Sequence, residues 1–324
     1  MNIHPITTSF TPIAPDTASL TSGKVNLDKL YSKLDKLYLQ PLQEQVNTLK
    51  QQQRRVDNGL RDLLVTVPVE LSLDDIKRLM AEVSSNPDGR DLYIAEITEI
   101  VADSLDCLAN KVTEFGIQLD LLKNSALSDV SGYIETNEQQ RQIQHTACQA
   151  LEAAVAAMNA DKEAMNKAMR VTEDKTLWDE WLPLVRGIAR LDPKNPTRSL
   201  MQAAVTGVTN ILRIASESVT YSNLVEARKV LQSRIDDHYQ RIAHSKTQIE
   251  TLARQQSQLD NFQALAPHKT GYQVEVEKVS TTLTSFQSIH NQMAQGDPLE
   301  RARSYTVQGE ALSRYLQDIL NKSR

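Results

Sequence analysis

Apolar residues recur along most of this chain in alternating steps of three and four, the spacing that places them on one face of an α-helix. Leu27, Leu30, Leu34 and Leu37, followed by Leu42, Val46, Leu49, Val56, Leu60 and Leu63, predict a first helix from about Asn26 to Leu64, kinked at Pro41 and closed by Pro68. Ser72 with Asp75 reads as a capping box for a short helix that stops before Asn86-Pro87-Asp88-Gly89. From about Arg90 the spacing becomes long-range. Ile94, Ile97, Val101, Leu105, Leu108, Val112, Phe115, Leu119 and Leu122 trace the seam of a coiled coil. A bend is expected at Ser128–Gly132, after which the seam resumes through Ile143, Ala147, Ala150, Ala154, Met158, Met165 and Met169. A second long helix is expected from about Thr197 to Ala266, with Ile235, Ile242 and Ile249 repeating every seven residues, as do Leu252 and Leu259. Roughly 70 residues at ~1.5 Å each make a rod of about 100 Å. Two shorter helices, about Gly271–Ala294 and Pro298–Lys322, flank Gly296-Asp297-Pro298, where Asp297 reads as N-cap and Pro298 as the first helical position.

The pattern therefore predicts an all-α fold. It is an elongated helical bundle in which two very long antiparallel helices form a coiled-coil stalk, ending in an amphipathic hairpin tip. Three segments follow. Residues 1–24, rich in Thr, Ser and Pro, read as an extended arm; residues 25–174 and 219–324 form the bundle and stalk; residues 175–218 form the hairpin head, turning near Asp192-Pro193-Lys194-Asn195-Pro196. Composition agrees. With 10 Gly and 11 Pro in 324 residues, the chain has too few turn formers for a β-sandwich, which needs a turn every ~8–12 residues.

The hairpin head holds the one feature beyond architecture. On a helical wheel, Leu200, Met201, Val205, Val208, Ile211 and Leu212 share one side with Ala203, Ala204, Gly207, Ile214 and Ala215. Gln202, Thr206, Thr209, Asn210 and Arg213 share the other. The apolar arc spans roughly 200°, twice the ~100° stripe that a surface helix needs. Before the turn, Leu177, Trp178, Trp181, Leu184, Val185, Ile188 and Leu191 share a half with Leu182 and Ala189, and both tryptophans of the chain are here. Trp favours the membrane–water interface, where its ring is apolar and its N–H finds a partner. Arg186, Arg190, Lys194 and Arg198 are placed to meet anionic headgroups at about 1 kcal/mol each.

A helix with one polar stripe is unstable alone in lipid, because the stripe is desolvated. A ring of such helices resolves this: the apolar arcs face lipid and the polar residues line a shared water column. About 20 residues cross a ~30 Å hydrocarbon core, a length Thr197–Glu217 reaches. The segment before the turn, at ~24 Å, is short for a span and suits the interface. The same amphipathic pattern also suits packing on the protein's own body or on a partner helix. The two are compatible in a switch that buries the arcs first and releases them later.

Other chemistry is weakly encoded. Net charge is −5, from 36 Lys+Arg against 41 Asp+Glu, and there is no domain-wide basic surface for nucleic acid. Cys107 and Cys148 read as free helical thiols, and no secretory signal or continuous transmembrane run is legible. No nucleophile elbow, phosphate loop or dinucleotide fingerprint is present. His238 and His244 fall on different helix faces, Asp236-Asp237 reads as a solvated face, and Met158, Met165 and Met169 read as helix contacts. These residues predict no catalytic site, metal or cofactor.

The long hairpin, the amphipathic tip from Leu177 to Ala215 and the missing signal peptide together resemble the α-pore-forming toxins of the cytolysin A type, and within them the B component of the two-part xenorhabdolysins. The resemblance covers the whole chain in helix order. It implies a soluble monomer, secreted without a readable signal, that joins a larger helical A component in a hetero-oligomeric ring on a target-cell membrane, with the B component supplying the pore-lining helices. A coiled-coil adaptor whose tip binds a partner helix is the alternative from another class; a scaffold that lies on lipid without perforating it is a third.

Overall fold

The computed structural model of the chain describes residues 10–173 and 221–322. Every regular element among the described residues is helical. The chain divides into two compact units, one built from the chain up to Val130 and from Gln258 onward, the other from Ser131–Ser257.

In the first unit α1 (Thr17–Lys33) starts inside the stretch expected to be an arm, because Asp16 caps it. The Asp16 carboxylate accepts from the backbone N–H of Ala18 at 3.0 Å and of Ser19 at 3.1 Å, and from the Ser19 hydroxyl at 2.7 Å, which holds its pKa below the usual carboxylate range. The extended reading therefore ends at residue 16. Within residues 10–16 the chain is docked at Ile13, which donates its N–H to Thr282 Oγ1 at 3.1 Å and accepts from the Tyr315 hydroxyl at 2.8 Å.

The first helix expected as one kinked rod is two. After α1 the chain opens at 34–39 and restarts as α2 (Gln40–Glu70). Pro41 falls in the first turn of α2, where its missing N–H costs nothing, so it starts a helix and does not bend one. Gln43 and Gln258 satisfy the open backbone: Leu37 N–H donates to Gln43 Oε1 at 2.7 Å, Tyr38 N–H donates to Gln258 Oε1 at 3.2 Å, and Gln258 Nε2 donates to Lys36 O at 2.8 Å. Pro68 lies within the last turn of α2, which runs on to Glu70.

The capping box does not form. Ser72 sits in the left-handed region at φ 48°, and its side chain makes no cap bond to α3 (Leu73–Ser85). A cap is worth about 1 kcal/mol, whereas burying a large aliphatic side chain is worth about 1.5–3 kcal/mol. Ile76 and Leu79 are both buried, so packing decides α3.

The centre of this unit is α4 (Arg90–Lys123), which packs against α2, α3, α7 (Leu265–Gln292) and α8 (Pro298–Lys322). Its predicted seam is buried at Ile97, Val101, Leu105, Leu108, Phe115, Leu119 and Leu122, with Ile94 and Val112 half-buried. A buried lysine ends it. Lys269 Nζ donates to the carbonyls of Lys123 at 3.0 Å and Ser125 at 2.6 Å, a charged cap on the negative end of the helix dipole. Asp297 caps α8 as expected, accepting from the N–H of Leu299 and of Glu300, both at 2.9 Å. α7 starts at Leu265 and not near Gly271, because Pro267 cannot continue the preceding helix but is tolerated in a first turn.

Behind the arm, Phe10, Phe286, His290 and Tyr305 form one aromatic cluster, with Phe10–Phe286 centroids 5.4 Å apart and Phe286–His290 centroids 4.6 Å apart. His290 is 0% exposed. Burial, aided by the nearby Arg301 guanidinium, pushes its pKa from 6.5 down to about 4. The folded state therefore keeps the ring neutral while the unfolded chain begins to bind a proton below pH 6.5. Stability is full above that pH and is lost as pH falls from 6.5 to about 4, by up to roughly 3 kcal/mol. Urea unfolding followed by circular dichroism at pH 7.5 and 4.5 should show this loss, and His290→Leu should shrink it. An unchanged pH slope in the variant would assign the acid sensitivity elsewhere.

Candidate functional site

The second unit is a pair of helices, α5 (Ser131–Glu173) and α6 (Tyr221–Gln263), each of 43 residues and each about 65 Å long at ~1.5 Å per residue. Their cross-links run in opposite chain directions, so the pair is antiparallel. Asn137 Nδ2 donates to Leu252 O and to Gln256 Oε1, both at 2.9 Å. Lys246 meets Glu152 at 2.8 Å, Lys162 donates to Gln232, and Arg228 donates to Asn166 at 3.4 Å. The Lys246–Glu152 hydrogen bond lowers the pKa of Glu152 and raises that of Lys246.

The seam of α6 follows the expected heptads. Ala227, Leu231, Ile235, Ile242 and Leu259 are buried, with Ile249 and Leu252 half-buried. The seam of α5 is displaced by one residue along its middle. Cys148 and Val155 are buried and Leu151 is half-buried, while their neighbours Ala147 and Ala150 are exposed and Ile143 is 65% exposed. At Ala147 and Ala150 side-chain size decides this. Cys, Leu and Val remove more apolar area from water than the alanines beside them, and apolar burial scales with that area. From Met158 onward the expected positions hold, with Met165 and Met169 buried. Asn137, buried in the seam, gives up apolar burial for a directional bond, a device that fixes register.

Residues 174–220 follow Glu173 of α5 and precede Tyr221 of α6 in the chain. All of the predicted membrane-contacting, pore-lining and headgroup-contacting residues, from Leu177 to Arg213, lie outside the described residues. Among the described residues no helix is long and apolar enough to cross a membrane, and no His, Cys, Asp and Glu group could hold a metal. Both thiols are free. Burial and the Glu70 carboxylate, 3.4 Å from its sulfur, push the pKa of Cys107 up, away from a reactive thiolate.

Sequence reasoning missed one surface. On one side of the pair, Gln144, Ala147 and Leu151 of α5 face Arg234, Asp237, His238, Arg241 and His244 of α6 across a groove of about 680 Å³. Past Gln144 and Gln248 it continues into a second groove of about 400 Å³, lined in part by Ile143, Thr247 and Leu252. The signal was legible: Arg234 and Arg241 repeat at the same seven-residue interval as Ile235 and Ile242.

Helix order and the long antiparallel pair define the class: this is the fold of the B components of xenorhabdolysin-type toxins. Among solved structures, PaxB from Photorhabdus luminescens superimposes with a TM-score of 0.74 at 12% identity, over 96% of this chain and 98% of that one. XaxB from Xenorhabdus nematophila gives 0.73 at 15% identity, over 95% and 99%. A chain of the XaxAB pore complex from Xenorhabdus nematophila gives 0.70 at 15% identity, over 94% and 98%. At these identities the likeness is one of fold. No family model and no curated protein sequence matches the chain.

The displaced seam is open to test by thermal melts followed by circular dichroism. Val155→Ala, at a buried position of α5, should cost about 1.5 kcal/mol or more, and Ile143→Ser, at an exposed one, less than about 0.5 kcal/mol. The reverse ranking would restore the alanine seam.

Proposed function

We propose that this chain is the membrane-perforating subunit of a two-component pore-forming toxin. One observation carries the reading. The chain shares its fold over nearly its whole length with XaxB and with a chain of the XaxAB pore complex, and an amphipathic stretch falls between the two long helices. In this reading the protein leaves its producer as a soluble monomer and binds a larger helical A component. The pairs assemble as a hetero-oligomeric ring on a target-cell membrane.

Leu200, Met201, Val205, Val208, Ile211 and Leu212 then face lipid, and Gln202, Thr206, Thr209, Asn210 and Arg213 face the water column. Trp178 and Trp181 sit at the interface, with Arg186, Arg190, Lys194 and Arg198 on headgroup phosphates. The role is mechanical and requires no chemical step. The driving force is the transfer of apolar arcs from water to hydrocarbon, at about 25 cal/mol per Å². The A component lowers the cost of assembling enough polar stripes to close a wet channel.

Dye-loaded vesicles test this directly. With the co-encoded longer partner present, the wild-type chain should release dye and its tryptophan emission should shift to the blue. Val208→Asp should leave the circular-dichroism spectrum unchanged and reduce release at least tenfold, since a charge at mid-membrane costs about 2.5–3.5 kcal/mol per helix. Undiminished release by Val208→Asp would remove that arc from the membrane. Binding to the partner with intact vesicles would favour the adaptor reading.

A further inference from the structure

We propose that the groove between α5 and α6 is a docking site for a helix of a partner protein, one carrying carboxylates at seven-residue spacing beside a row of small apolar residues. The inference rests on the two-component reading and adds to it the chemistry by which the partner is recognised.

Three observations lead to the same occupant. First, two paired helices leave a concave channel along their flank, and a third helix laid there completes a three-stranded coil. The channel here continues from the cavity beside Arg234 into the one beside Leu252. Second, its α5 wall carries apolar positions outside the intramolecular seam. Ile143 and Ala147, four residues apart on one helix face, line the two grooves and stay exposed, and beside Ala147 the seam uses the larger Cys148. A row of small residues admits a close helix, but by itself selects nothing.

Third, the α6 wall supplies the selection. Arg234 and Arg241 are exposed, and neither has an ion-pair partner among the described residues. They lie seven residues apart, about 10.5 Å along the helix at ~1.5 Å per residue. Carboxylates seven apart on a facing helix match that interval. The α5 wall lining this groove is uncharged, and Asp237 is the acidic residue among the α6 side chains that line it. Two guanidinium forks against one acid leave the groove electropositive, suited to bidentate pairing with carboxylates. A single lipid headgroup offers one anion and no apolar row; a helix offers both at the required pitch.

Two synthetic 21-residue helical peptides are the probes. Each carries alanine and leucine on one face, with glutamates seven apart in one peptide and lysines at the same positions in the other. Fluorescence anisotropy is read with the full chain at low and high salt. The glutamate peptide should bind at least tenfold tighter than the lysine peptide and weaken as salt rises. Arg234→Glu combined with Arg241→Glu should reverse that order. Both sites are exposed, so the double variant should fold with an unchanged circular-dichroism spectrum, and Ile143→Lys should weaken both peptides.

Binding that ignores the charge swap, or no binding by either peptide, overturns the proposal. Self-association of the chain that depends on the same arginines overturns it in favour of a second copy. Arginine-dependent binding to phosphatidylserine vesicles without peptide overturns it in favour of a lipid surface. None of these readouts involves dye release, so the pore reading stands or falls separately.

Discussion

The antiparallel register of α5 and α6 is the constraint on which the rest depends. It runs from Asn137 against Leu252 to Asn166 against Arg228. It sets which residues of α5 are interior, and therefore which are left for a third helix. The seam mixes strong apolar positions, such as Leu231, Ile235 and Val155, with the buried Asn137. An all-leucine seam would bury more apolar area but would tolerate slippage by a heptad. A buried amide bonded to one backbone carbonyl resists slippage, because moving it strands a polar group at a cost of about 1–3 kcal/mol.

The first unit solves a different problem. Its helix ends matter, and two of them are closed by side chains from elsewhere in the chain. Lys269 caps α4 from α7, and Gln258 closes the gap between α1 and α2 from the end of α6. A second pair of bonds joins Gln45 to Ser128: the Gln45 amide donates to Ser128 Oγ at 2.7 Å and accepts from Ser128 N–H at 2.9 Å. The connections at 34–39 and after Lys123 are thus held by residues distant in sequence. That is why local pattern alone misplaced the breaks.

The division between legible and illegible follows from this. Helix existence, the α4 seam, the α6 heptads and the Asp297 cap were all readable, because each depends on residues within one or two turns of one another. The break at 34–39 was not, since the signal at Pro41 suits either a kink or a start, and the deciding partner, Gln258, is far along the chain. The one-residue shift of the α5 seam was hidden because Ala147 and Cys148, or Ala150 and Leu151, both satisfy an apolar pattern; their sizes separate them only once the facing helix is placed. The tip residues were readable as an amphipathic pattern, and a pattern does not choose between lipid and protein. The groove was overlooked because charged residues on a long helix ordinarily mark a solvated face.

In the proposed pore the arc Leu200–Leu212 exchanges water or protein for hydrocarbon while its polar stripe stays wet. Single cysteines placed in turn at Val205, Thr206, Val208, Thr209 and Leu212, each carrying an environment-sensitive dye, read both faces in one assembly on vesicles with the partner component. Helical alternation is the expected result: dye at Val205, Val208 and Leu212 quenched by lipid-borne quenchers, and dye at Thr206 and Thr209 quenched by aqueous iodide. Uniform iodide quenching across all five positions would contradict it.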